Sequence, residues 1–262
     1  MNRRGRERRG RPAPAPVEAK TLHAMAEVIA DPARPSSRTL LLDGREAGQV
    51  DLRDPRALSF AYMRRIADLI DAFRSPGSGI DVLHIGGGAC ALPRYVEATR
   101  PASRQLVFEF DPGVVALARA HFGLRPTPRL RVKVGDAADL VPARPDKSAD
   151  LVIGDAFDGP HVPVQVSGPG FMSHVRRVLR PAGVYAINVI DIPPLDEVHG
   201  HSAVIEEVFE YVLWVAPPGV LRGRAPGNVV LFGSAVPLPV AALERMARSA
   251  VPREQVLVAR GA

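Results

Sequence analysis

Four sets of residues have the types and spacing to do chemistry together. The first is Gly86-Gly87-Gly88, which closes the apolar run Val82-Leu83-His84-Ile85. Glycine has no Cβ, so such a turn accepts positive φ and lets a ligand touch the backbone. The second is Glu109, 23 residues past Gly86 and close to the roughly 20-residue spacing of a ribose-binding carboxylate. The third is Asp136 with Ala137, where the carboxylate can accept a hydrogen bond from an adenine amino group. The fourth is Asp155 with Asp158, a pair suited to a proton transfer and to holding a cation.

The elements that must position these groups read as alternating strands and helices. Strands are expected at Gln105 to Phe110, Leu130 to Val134, Asp150 to Gly154 and Val184 to Val189, with helices at Val114 to His121 and Phe171 to Leu179. Two later strands, Tyr211 to Ala216 and Asn228 to Gly233, precede a helix over Pro239 to Ser249. Short apolar strands separated by helices predict an α/β fold, Rossmann-like, with a mostly parallel central sheet. In such sheets ligands bind beyond the carboxyl ends of the strands, where all four sets of residues fall.

The spacing Gly86-x-Gly88-x-x-Ala91 also fits the dinucleotide fingerprint, so NAD satisfies the glycines and Glu109. It leaves Asp136 and Asp155 without work. A sulfonium nucleoside uses all of them, because acidic residues favour its cationic sulfur.

Upstream, Thr39-Leu40-Leu41-Leu42, the turn Asp43-Gly44 and Gln49-Val50-Asp51-Leu52 predict a small N-terminal β-hairpin. Residues 22–30 read as a short helix. Asp54-Pro55 reads as a helix start, followed by a core stripe of Tyr62, Met63, Ile66, Leu69, Ile70 and Phe73. The expected division is a disordered Arg/Pro-rich tail and linker over 1–37, the hairpin over 38–55, and the nucleoside-binding domain over 56–262.

The 262 residues carry a net charge of +6. Six arginines among residues 1–12 stand against Glu7, a net +5, which leaves the rest nearly neutral. Weak, non-specific nucleic-acid contact is therefore expected of the tail alone. No run approaches the roughly 18 apolar residues of a membrane span, and no apolar stretch follows the basic start, so a cytoplasmic, membrane-free protein is expected. The single cysteine, Cys90, forms no internal disulfide. No metal site is expected.

Residues 81–190 resemble the spermidine synthase group of aminopropyltransferases, which share the class I S-adenosylmethionine-dependent methyltransferase fold. The resemblance lies in Ile85-Gly86-Gly87-Gly88, Phe108-Glu109-Phe110-Asp111, Gly135-Asp136-Ala137 and Asp155-Ala156-Phe157-Asp158-Gly159-Pro160. Phe171 through Val184 and the hairpin Leu41-Leu42-Asp43-Gly44 extend it to roughly residues 39–235. It implies transfer of an aminopropyl group from decarboxylated S-adenosylmethionine to a small-molecule amine. Asp155 would be catalytic, Asp158 would bind the amine, and Gly86, Gly87, Gly88, Glu109, Asp136 and Ala137 would hold the nucleoside. The alternatives are methyl transfer from ordinary S-adenosylmethionine and a non-catalytic homologue; a homodimer is also open. The pattern departs at Ala89-Cys90, where the family has Asp-Gly, and at Ala47, where it has Gln. It also lacks the His-Glu pair near Phe60-Ala61-Tyr62. These changes remove carboxylate and amide groups from the amine side.

Overall fold

The computed structural model describes residues 15–261; the arginine-rich run at the start lies outside the described residues. The chain begins with strands β1 (Val17–Lys20), β2 (Met25–Ala30), β3 (Ser37–Leu42) and β4 (Arg45–Asp51). They form an antiparallel sheet in the order β1-β2-β3-β4. The expected hairpin is β3–β4. The end of the stretch read as disordered tail supplies β1, and the stretch read as a short helix supplies β2, because β1 pairs with β2 and β2 with β3 from Ala26↔Leu42 to Ala30↔Arg38.

Helix α1 (Ala61–Ala72) follows, then β5 (Asp81–Ile85), α2 (Ala91–Thr99), β6 (Arg104–Glu109), α3 (Pro112–His121), β7 (Leu130–Val134) and α4 (Ala137–Leu140). The chain continues with β8 (Ala149–Gly154), α5 (Pro169–Val178), β9 (Leu179–Asp191), α6 (Asp196–Glu206), β10 (Tyr211–Ala216) and α7 (Pro218–Leu221). It closes with β11 (Gly227–Ser234), α8 (Val240–Ser249) and β12 (Gln255–Arg260). Helix α1 starts at Ala61 rather than Pro55. Asp54 makes a local turn instead, its Oδ1 accepting from the Arg56 N–H at 2.9 Å.

The main sheet runs β12-β10-β11-β9-β8-β5-β6-β7. Strands β9, β8, β5, β6 and β7 are parallel to one another, and β11, β10 and β12 add antiparallel pairings. The chain moves from β5 outward through β6 and β7, then returns to β8 on the other flank of β5. That reversal opens a crevice between the carboxyl ends of β5 and β8.

Two cores hold the sheet. Met63, Ile66 and Ile70 of α1 pack on Val82, Ile153, Val184 and Ala186 on one face. Phe171, Met172 and Val175 of α5 pack on Leu83, Val152, Tyr185 and Ile187 on the other. Burying Ile66, Leu69 and Ile70 contributes about 1.5–3 kcal/mol each. The far end of α1 is anchored by the buried Arg100, which donates to the carbonyls of Ile70 at 2.6 Å and Phe73 at 2.7 Å. That satisfies helix carbonyls that have no partner within the helix. The same helix carries Tyr62 at its start, so its placement matters to the site.

Candidate active site

Gly86 follows β5 with φ +90°, and a Cβ there would lie 2.4 Å from the Asp155 carbonyl oxygen. The Asp155 N–H in turn donates to the Ile85 carbonyl at 2.8 Å. Only glycine permits this approach, so the residue type brings the first and fourth sets together. Glu109 at the end of β6 turns back onto the same turn. Its Oε2 accepts from the Gly87 N–H at 2.8 Å and the Gly88 N–H at 3.1 Å, and its Oε1 accepts from the Asp111 N–H at 3.0 Å. Three donors fix the carboxylate beside the turn.

Asp136 stands on the next strand end, tied to Glu109 by the Gly135 N–H, which donates to the Glu109 carbonyl at 2.9 Å. Its Oδ1 caps α4 by accepting from the Ala138 N–H at 2.8 Å. Ala137 is buried beneath it. Gly86–Gly88, Glu109 and Asp155 thus meet at the crevice, with Asp136 on the adjacent strand end.

Asp155 is only partly exposed, and its carboxyl is enclosed by neighbouring side chains. Tyr62 Oη donates to Oδ2 at 3.0 Å and Asn188 Nδ2 donates to Oδ1 at 3.2 Å. Asn228 Nδ2 donates to Asn188 Oδ1 at 2.9 Å, which fixes the Asn188 amide. Burial pushes the Asp155 carboxyl up to about 6, against the pull of the hydrogen bonds from Asn188 and Tyr62. Burial, followed by the facing Asp155 charge, raises the Tyr62 phenol well above its ordinary value, so Tyr62 remains a donor. Asp158 is not drawn into this enclosure. It lies exposed on the following loop, in a backbone bridge with His161.

Tyr62, Asn188 and Asn228 are absent from the candidate site residues that the sequence singles out. Tyr62 sits in the helical stripe read as core, and it does pack against that core while its hydroxyl reaches Asp155. The available signal was a tyrosine among aliphatic positions, whose hydroxyl needs a partner when covered. Asn188 gave a clearer one, as a polar residue inside the apolar run Val184–Val189.

The hairpin closes directly on the glycine turn. Gly88 has φ +47°, and a Cβ on it would come within 2.7 Å of the Ala47 carbonyl oxygen. Ala89 is 2% exposed, and a Cβ on Gly48 would lie 2.7 Å from its methyl. Gln49 is occupied elsewhere, its Nε2 donating to Ser37 Oγ at 2.9 Å. Ala89→Asp therefore should not open an amine-binding carboxylate. It should bury an unpaired charge against Gly48, lowering stability by about 3 kcal/mol and the melting temperature by roughly 6–12 °C. Unchanged melting with better use of the decarboxylated donor would contradict this packing. Cys90 is also buried; burial first, then the nearby Glu109 charge, pushes its thiol up to about 12, so it is not nucleophilic at neutral pH.

Cavities of about 310 and 290 Å3 lie at the opposite end of the strands, lined by groups such as Arg104, Arg129 and Asp81. None of the strand-end residues lines them, so concavity alone does not locate the chemistry. Among the described residues no group of three or more His, Cys, Asp or Glu could hold a metal ion, and no helix is long and apolar enough to cross a membrane.

No family model matches the chain. A polyamine aminopropyltransferase of Vibrio vulnificus is 26% identical over 202 residues, covering 75% of this chain and 64% of that protein. The chain thus spans less than two thirds of the length of that relative. The crystal structure of a probable spermidine synthase from Corynebacterium glutamicum is similar with a TM-score of 0.87 and 29% identity, covering 94% of this chain and 91% of that one. Human methyltransferase-like protein 13, in complex with SAH, is similar in fold with a TM-score of 0.60 and 24% identity, covering 73% of this chain and 94% of that one. The chain has a methyltransferase-like α/β fold with an antiparallel N-terminal sheet. Within that class it is spermidine synthase-like.

Proposed function

We propose that the chain is a transferase that moves an aminopropyl group from decarboxylated S-adenosylmethionine to an amine. The carrying observation is the enclosed Asp155 carboxylate, in backbone contact with the glycine turn and held by Tyr62 and Asn188. The likeness to an aminopropyltransferase and to a probable spermidine synthase supports the same reading.

The nucleoside fits the residues present. Glycine at 86 lets the turn pack on the Asp155 carbonyl, and the Glu109 carboxylate, which three N–H groups hold beside that turn, would take one ribose hydroxyl on its remaining lone pair and the second in exchange for a turn N–H. Asp136 keeps Oδ2 for the base. An alkylammonium titrates near pH 10, as lysine does, and must lose its proton before it can attack. Asp155, titrating near 6, is ionised at neutral pH and accepts or orients that proton. The amine lone pair forms a C–N bond to the methylene next to sulfur. The C–S bond breaks with its electrons on sulfur, leaving a neutral thioether nucleoside. Ala89, closed against Gly48, supplies no carboxylate to the donor, which keeps methyl transfer from ordinary S-adenosylmethionine as the second reading. A cytoplasmic location belongs to the same proposal.

Thermal unfolding with candidate nucleosides tests the reading. 5′-Methylthioadenosine should stabilise the chain by about 2.7 kcal/mol at a hundredfold excess over its Kd. The decarboxylated donor should shift the transition more than ordinary S-adenosylmethionine. The reverse order would support methyl transfer, and a larger shift with NAD would overturn both.

A further inference from the structure

We infer that the chain carries a second binding site, for a small oligophosphate, in an arginine-lined cavity at the amino end of the parallel strands. The site lies apart from the proposed transfer chemistry and does not depend on it.

The sheet itself gathers the arginines. Parallel strands all begin at one end, so the residues at their starts come together however far apart they lie in sequence. Arg104 opens β6, Arg131 is second in β7 and Arg180 is second in β9. Arg129 just precedes β7, and Arg144 stands in the loop before β8. All five line one cavity of about 290 Å3, where Asp81 is the one carboxylate among the described residues. Asp150, bonded to Arg180 at 2.8 Å, also takes Arg74. Counting that pair and Glu97, which lines the adjoining cavity beside Arg129, six arginines stand against three carboxylates. The chain beyond residue 12 carries only +1 in all, so the excess is local to this end. A concave wall of low dielectric focuses such a field on whatever enters it.

Three of the five guanidiniums are held in place and two are open. Asp81 accepts from Arg104 Nε at 2.9 Å and from Arg180 Nη2 at 2.7 Å, and Arg129 Nη1 donates to the Ala102 carbonyl at 2.8 Å. A guanidinium has five N–H groups, so each of the three keeps donors for a ligand. The Arg144 backbone is fixed, its carbonyl accepting from Arg177 Nη1 at 2.8 Å, while Arg177 pairs with Asp146. Among the described residues no ion pair or side-chain hydrogen bond uses the Arg131 or Arg144 guanidinium. Guanidiniums match phosphate oxygens two at a time. A single phosphate brings a charge of about −2, and linked phosphates balance the excess better. The cavity volume is at the low end for small-molecule sites. No aromatic ring is among its lining residues, whereas single-stranded nucleic acid stacks its bases on such rings. The lining therefore suits a compact anion and not a strand.

The test is thermal unfolding and titration calorimetry of the full chain in magnesium-free buffer at constant ionic strength. Inorganic tripolyphosphate at a hundredfold excess over its Kd should raise the melting temperature by roughly 5–10 °C. The rise should add to that from 5′-methylthioadenosine, because the two sites lie at opposite ends of the strands. Arg131→Ser and Arg144→Ser should each raise the Kd about tenfold or more. Both should leave ligand-free melting within about 2 °C, since neither guanidinium ties one part of the chain to another. Lys133→Ser, two residues along β7 and outside the lining, should change the Kd less than about twofold. Cytidine triphosphate beside tripolyphosphate separates the two sources of the same chemistry. Equal affinity assigns the site to the phosphates alone and tighter binding assigns it to a nucleotide, and either result supports it. No shift with tripolyphosphate, an equal shift with sulfate, or a Kd indifferent to Arg131 and Arg144 would overturn the inference. So would a single-stranded oligonucleotide that bound more tightly than tripolyphosphate and lost that affinity in Arg131→Ser.

Discussion

Asp155→Asn should lower turnover by roughly 10²–10⁴ and at the same time raise the melting temperature. The rate effect follows from removing the one enclosed carboxylate at the crevice, next to the glycine turn. The stability effect follows from its titration. In the folded chain burial pushes the carboxyl up to about 6, against an ordinary value of 3.8. Between those values the folded state binds more protons than the unfolded state, so stability falls as pH rises from about 4 to about 6 and stays lower above. About two pH units correspond to roughly 2–3 kcal/mol at neutral pH, or about 4–12 °C for a chain of this size. Asparagine has no charge to bury, so it recovers that stability. Nucleoside binding should change little, because Glu109 and Asp136 do not touch Asp155 through any hydrogen bond in the structure. In the unsubstituted chain kcat/KM should fall below about pH 6, and that acid limb should vanish in the variant. A variant that turns over normally, or melts lower, would remove Asp155 from the proposed role.

The parallel half of the sheet was legible because buried parallel strands leave a plain trace. β5, β6 and β8 each read as short apolar runs, and each ends in or runs directly into a glycine or a carboxylate at the carboxyl end of the sheet. The N-terminal sheet was only half legible. Met25-Ala26-Glu27-Val28-Ile29-Ala30 is composed mostly of helix formers, and the pairing with β3 overrides that preference. Strand β12 was missed for the opposite reason. It is an edge strand with no buried residue, so its six residues show no clear inward face.

The site divides in the same way. Gly86, Glu109 and Asp155 advertise themselves because strand ends concentrate function. Tyr62 and Asn188 do not, since Tyr62 lies 93 positions and Asn188 33 positions from Asp155, and only the fold unites them. Ala89 was legible as a departure from a family pattern but not as a packing residue. Its contact with Gly48 depends on how the hairpin lies over the turn, which no local pattern records. Sequence therefore picked out the strand-end residues that the fold brings to the crevice. It said least about the groups around the Asp155 carboxyl, which come from α1, β9 and β11.

Glu109→Ala should weaken 5′-methylthioadenosine binding by about 10²–10³-fold, the loss of two hydrogen bonds to a charged group at roughly 3–4 kcal/mol in all. The same substitution leaves the Gly87, Gly88 and Asp111 N–H groups without their carboxylate, so the ligand-free chain should also melt a few degrees lower. Those two effects must be separated. Glu109→Gln does so poorly, because both carboxylate oxygens accept N–H groups and an amide NH2 can replace neither. Glu109→Asp is the sharper control. It keeps the charge on a side chain one methylene shorter, so it can serve the turn or the ribose but not both at their present distances. The variant should retain intermediate affinity with most of the ligand-free stability. 2′-Deoxy-methylthioadenosine supplies the other arm of the cycle. It lacks one of the two hydroxyls, so it should bind the unsubstituted chain about tenfold or more weakly, yet bind Glu109→Ala no more weakly than the ribonucleoside does. If instead the deoxy penalty survived in Glu109→Ala, some other group would hold the 2′-hydroxyl, and Glu109 would be left with the single task of bracing the glycine turn.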